Sequence, residues 1–154
     1  MLALTFQIGA TSLALDVRRV HEVVPRVRLQ PVAGGPQWLA GVFVYRGQVV
    51  PVIDLHRLIG HEECPAHLST RIILVPQPLG GEQRLVGLLA AQVADVRNVE
   101  APAQAGARLA APGQVDLGPV LVDGGQLVHL VELSRLLPAS HQQQLGLVPR
   151  EPPA

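Results

Sequence analysis

GVFVYRGQVVPVIDLHRLIG, residues 41–60, is the stretch on which the reading of this chain turns. Two apolar runs, Val42-Phe43-Val44-Tyr45 and Val49-Val50-Pro51-Val52-Ile53, flank Arg46-Gly47-Gln48. β-Branched and aromatic runs interrupted by a glycine turn read as a β-hairpin. Pro51 has no N–H to give, which places its strand at a sheet edge or a bulge. Asp54 stands where a helix N-cap belongs, Leu55, Leu58 and Ile59 follow at helical spacing, and Gly60 is placed to stop the helix.

The phrase returns later in the chain. GQVVPVIDLHRLI, residues 47–59, aligns without gaps on GQLVHLVELSRLL, residues 125–137, with Asp54 on Glu132. LALDVRRVHEV, residues 13–23, likewise resembles VGLLAAQVADV, residues 86–96, and both end in Val-x-acid-Val. Two pieces recurring in the same order, about half a chain apart, predict a duplicated β unit.

Working outward, residues 2–8 alternate, with Leu2, Leu4, Phe6 and Ile8 on one face, and predict a half-buried strand. Residues 13–17 return from the turn at 9–12. Residues 71–75 predict a strand bounded by Pro76 and Pro78, and residues 85–89 the next. Residues 61–69 and 101–113 read as loops. A second hairpin is predicted over 115–131, with a short helix over 132–137 stopped by Pro138. Many short strands and few helices favour an all-β fold of small barrels, because a doubly wound sheet needs long helical segments between strands. Residues 1–138 read as one domain and residues 139–154 as a flexible tail.

Composition narrows the function classes. The 154 residues are 48% hydrophobic and 16% charged, which is globular and not disordered. Net charge is zero and aromatics are 3%, so both the basic footprint and the stacking platforms of a nucleic-acid binder are missing. All twelve basic residues are arginine, which removes Schiff-base and P-loop lysine chemistry. One cysteine excludes an intrachain disulfide. No signal-peptide pattern opens the sequence and no apolar run is long enough to span a bilayer, so the expected location is cytoplasmic, without membrane insertion.

Candidate chemistry is sparse. His56, His61, Cys64 and His67 have a spacing that zinc accepts, but three fall in one Pro-containing loop rather than in separated ligand pairs, and read as a histidine-rich surface loop. Cys64 and His67 lack a group to orient the base. Asp54 and Glu132 sit at two equivalent helix starts, where capping accounts for both without catalysis. No cofactor or metal is expected. Arg46 stands apart: it occupies a hairpin tip, and its counterpart in the second copy is Gly124. Glu22 is a plausible ion-pair partner for it.

These residues resemble a known family. Phe6 with residues 13–17, then Val20-His21-Glu22-Val23-Val24, then the pattern G-V-x-x-x-R-G-x-x-x-P-V-x-D-L over residues 41–55, is similar to the CheW-like domain of bacterial chemosensory systems. The likeness covers about residues 1–138. It implies two five-stranded SH3-like β-barrels with short helices, and a protein that is not an enzyme. It also implies an adaptor that joins the cytoplasmic tip of a chemoreceptor to the regulatory domain of a CheA-type histidine kinase. Carried over by position, Val20, Glu22 and Arg46, with Ile72 and Ile73 close by, would bind the receptor. Gly41 and Gly47 would shape the hairpin turn. Ala90-Ala91 and Val131-Glu132 depart from the family's usual Val-Asp and Leu-Asp, and the pattern looks closer to accessory chemosensory pathways. A decoy competing for array assembly, rather than an adaptor, stays open on these residues. No fused kinase or receiver domain is expected.

Overall fold

The computed structural model describes residues 1–59, 62–79, 82–100 and 117–137. The predicted tail, the helix stop at Gly60, His61 and the loop over 101–113 lie outside these residues. Among the described residues, ten strands form two five-stranded sheets. In chain order they are β1 (Leu2–Ile8), β2 (Thr11–Asp16), β3 (Glu22–Pro25), β4 (Leu39–Tyr45), β5 (Gln48–Asp54), β6 (Arg71–Leu79), β7 (Glu82–Ala90), β8 (Val96–Asn98), β9 (Val120–Asp123) and β10 (Gln126–Leu130). One-turn helices α1 (Leu55–Leu58) and α2 (Leu133–Leu136) follow β5 and β10, and a 3-10 turn, Val17–Arg19, precedes β3.

The first barrel has strand order β3-β6-β7-β5-β4 and the second β8-β1-β2-β10-β9. Replacing each strand by its counterpart five places along the chain turns one order into the other. The duplicated unit is therefore real, but the repeats exchange strands. Each barrel takes its first hairpin from one repeat and its last three strands from the other. The register agrees with the sequence alignment. β5 pairs parallel with β7 at Val52 and Gly87, and β10 pairs parallel with β2 at Leu130 and Ala14. In the gapless alignment Val52 lies on Leu130, and Ala14 on Gly87.

Continuous apolar strands arise because both faces are covered. On β6, Ile72 and Leu74 point into the first barrel, while Ile73 and Val75 point to a core shared by the two barrels. The period-2 alternation of a strand divides one run between two interiors. The shared core also takes Leu4, Phe6, Leu13 and Leu15 from the second barrel and Leu55 and Leu136 from the helices. β1 is accordingly buried on both faces, with Ala3 and Thr5 covered as well as Leu4, Phe6 and Ile8, whereas Leu2 is exposed. Gly87 supplies room inside the first barrel, since a Cβ there would stand 2.8 Å from Ile72 Cγ2.

The prolines sit differently from expectation. β5 lies between β7 and β4, not at an edge. Val42, opposite Pro51, directs its own N–H and C=O to Gln30, at 2.9 and 2.8 Å, and so away from β5. Pro51 thus occupies a non-hydrogen-bonded pair, and its nitrogen faces the side where the β7 ladder begins only at Val52. Pro76 and Pro78 do not bound β6 but lie within it, beyond Leu74, where pairing with β3 has ended and no donor is needed on that edge.

Candidate functional site

The β4–β5 hairpin closes in a two-residue turn, with Tyr45 paired to Gln48. Arg46 and Gly47 have φ of 47° and 78°. Positive φ at both central residues is the type I′ geometry that matches the twist of paired strands. The β9–β10 hairpin is built alike: Asp123 pairs with Gln126, and Gly124 and Gly125 have φ of 56° and 84°. Glycine adopts this backbone freely, whereas an arginine there carries about 1 kcal/mol of strain. The first tip retains arginine at the position where the second uses glycine.

Arg46 joins a cluster. Its guanidinium lies 3.8 Å from Glu22 and 5.2 Å from the centre of the Tyr45 ring. The Tyr45 hydroxyl donates to Glu22 at 2.5 Å, and this bond raises the phenol's pKa above its ordinary value. The His21 ring meets Tyr45 edge-on at 6.0 Å. Glu22 is on β3 and Tyr45 on β4, the two ends of the sheet order, so this contact closes the barrel. The Tyr45 bond holds one carboxylate oxygen, while the Arg46 side chain remains 74% exposed. A loosely held cation on a fixed carboxylate is free to engage a partner's acidic group. Val20 precedes this cluster in extended conformation and is half-buried against the core shared by the barrels. Its equivalent, Val93, packs on the same core.

The structure brings Glu22 and Arg46 together as expected, with Val20 two residues away on the same segment. Ile72 and Ile73 are placed otherwise: both are fully buried, one in each core. They support β3 from β6, where Ile72 pairs with Val24 and Ile73 with Val23, and offer no surface to a partner. Gly41 is not at the turn but within β4, at a register shift after Leu39. Its φ is 148°, and a Cβ would stand 2.7 Å from the Gln30 carbonyl oxygen, so the position needs glycine for close backbone approach. Gly47 does shape the turn. Tyr45 and His21 were missed by sequence reasoning. The available signal was that Tyr45 is the chain's single tyrosine, beside the hairpin tip.

The other candidates resolve into structure. Asp54 is buried, and its carboxylate accepts from the N–H groups of His56 at 2.9 Å, Arg57 at 3.4 Å and Cys64 at 2.9 Å. It caps α1 and ties down the segment after it. Glu132 precedes α2 without a side-chain cap bond, and its carboxylate instead pairs with Arg135 at 2.7 Å. The extra methylene carries it past the cap position to Arg135, whereas the equivalent arginine, Arg57, pairs with Glu63 and leaves Asp54 to the backbone. His56 is not a surface residue: it is buried and its Nε2 accepts from the Ala91 N–H. Burial pushes the Cys64 thiol up to about 12, which removes it as a nucleophile. Among the described residues no three His, Cys, Asp or Glu side chains converge as metal ligands, and no helix is long and apolar enough to cross a membrane.

Residues 2–141 match the family model of the CheW-like domain. The chain is 28% identical over 139 residues to chemotaxis protein CheW of Klebsiella aerogenes, covering 87% of this chain and 80% of that protein. It is 29% identical over 146 residues to protein FrzA of Myxococcus xanthus, covering 92% and 88%. The scaffolding protein TtCheW from Thermoanaerobacter tengcongensis shares the fold, with a TM-score of 0.72 at 22% identity over 91% of this chain and 94% of that one. With a duplicated barrel and this family match, the chain belongs to the CheW-like domain family, the non-catalytic adaptors of chemotaxis.

Proposed function

We propose that the protein joins the cytoplasmic tip of a chemoreceptor to the regulatory domain of a CheA-type histidine kinase, in the cytoplasm, within residues 1–138. The receptor contacts Val20, Glu22 and Arg46, with Tyr45 holding Glu22 in place. The observation that carries this reading is Arg46 itself. Its left-handed backbone is unfavourable for arginine, and its exposed ion pair with Glu22 contributes only about 0–1 kcal/mol. Neither term accounts for an arginine there, whereas recognition of an acidic group on a receptor helix does. The aliphatic Val20 beside it supplies an apolar anchor for such a helix. The departures at Ala90-Ala91 and Val131-Glu132 favour an accessory chemosensory pathway over the flagellar one.

The test is titration of a soluble receptor-tip fragment against the parent, Arg46→Ala and Val20→Asp, with the kinase regulatory domain as a second titrant. Each variant weakens the receptor at least fivefold and leaves kinase binding within twofold. Unchanged receptor affinity in both variants, with folding intact, overturns the site.

A further inference from the structure

The far end of the first barrel carries a second, unassigned site. β3 and β5 run from the Arg46 cluster to an open cleft of about 780 Å³ whose lining includes Arg26, Arg28, Leu39, Ala40 and Arg57. A seven-residue strand such as β5 spans about 20 Å, so this cleft is separate from the tip. Its chemistry is two-sided. Leu29, Leu39 and Ala40 are half-buried against the cores and form an apolar floor. Val27 stands 39% exposed between two arginines. Arg57 is held 3.8 Å from Glu63, and the cleft's other carboxylate, Asp54, is committed to backbone N–H groups. Neither Arg26 nor Arg28 makes an ion pair or side-chain hydrogen bond within the described residues. Two uncommitted guanidinium groups thus flank one apolar strip on a chain whose net charge is zero.

We infer that this cleft binds an acidic peptide segment whose carboxylates flank an aliphatic side chain. Guanidinium forks match carboxylates in paired hydrogen bonds, and the floor accepts the aliphatic group. A nucleotide fits less well, because no aromatic ring lines the cleft to stack on a base. The volume also exceeds what a lone small anion fills. The site is independent of Arg46 and does not rest on the receptor reading.

The experiment uses the full chain and a fluorescein-labelled twelve-residue peptide alternating leucine with glutamate, followed by anisotropy. The parent binds it, more weakly as salt rises. The Arg26→Glu/Arg28→Glu variant, whose exposed positions leave the thermal melt unchanged, loses at least tenfold in affinity. Arg46→Ala and Arg19→Glu bind as the parent does. Absence of binding, or equal affinity in the doubly reversed variant, overturns the inference. So does full displacement of the peptide by low-millimolar inorganic phosphate, which would mark a small-anion site.

Discussion

The two barrels share one plan but close with opposite charge. In the first, the acid is on the third strand of the repeat, Glu22, and it receives Tyr45 and Arg46 from the hairpin end. In the second, the base is on the equivalent strand, Arg97, and it donates at 3.2 Å to Asp123, the counterpart of Tyr45. Both contacts join the two edge strands of a curled sheet, so the fold needs a polar clasp there and tolerates either polarity. What the fold does not need is a cation beyond the clasp. The second tip ends in Gly124-Gly125, whereas the first ends in Arg46-Gly47. The difference separates the part of the sequence that builds a barrel from the part that does something further.

The first barrel encloses Cys64 near its end, and the second has no thiol. With the thiol pushed from 9.0 to about 12, its thiolate at pH 8 is about a thousandfold scarcer than that of an ordinary cysteine. Alkylation by iodoacetamide in the native protein is expected to be at least about tenfold slower than in urea, where it recovers fully. Rapid native alkylation would mean that the first barrel opens at that end.

The caps differ next. Asp54→Ala removes three hydrogen bonds and leaves the Cys64 N–H buried, at a cost of about 2–4 kcal/mol in urea denaturation. Glu132→Ala removes an ion pair three residues along and costs less than about 1 kcal/mol. Equal costs would mean that the two helix starts do the same work. A smaller effect concerns the turns. Gly47→Ala and Gly125→Ala each place a side chain at a left-handed φ in open space, and each costs about 1 kcal/mol. Losses differing by more than about 1 kcal/mol would show that the two hairpins are not equivalent.

The smallest effect is a pH dependence. Hydrogen bonds and charge from Arg18 hold the Asp16 carboxyl below its usual value, opposed by burial. A depressed folded-state pKa contributes stability that is present above the unfolded value and is lost as pH falls through the folded one. Asp16→Asn should therefore flatten the acid limb of the stability curve below about pH 4 and leave the neutral region displaced by a constant. An unchanged acid limb would remove Asp16 from the account.

Much of the fold was legible because the repeat preserves residue types at turns and caps. Gly47 and Gly125, and Asp54 and Glu132, mark the same places in both copies. What sequence could not show was the strand exchange. Local patterning says where strands begin and end, but pairing between distant strands depends on which apolar faces meet. The prolines misled for the same reason: Pro51 is acceptable in a central strand because it stands in a non-hydrogen-bonded pair with Val42 and beyond the end of the β7 ladder, which no local pattern records. Ile72 and Ile73 look like any exposed aliphatic pair until a core is seen on each face of β6. Of the site, Arg46 and Glu22 were readable from charge at a turn. Tyr45 was not, because its role depends on two edge strands meeting when the sheet curls.

On the proposed function, Arg46 serves recognition at the cost of local strain. Arg46→Gly turns the first tip into a copy of the second, and calorimetric titration with a receptor-tip fragment, paired with a thermal melt, tests it directly. The account predicts at least a tenfold loss of affinity with a melting temperature equal to or above that of the parent. Retained affinity, or a drop in melting temperature of several degrees, would contradict it.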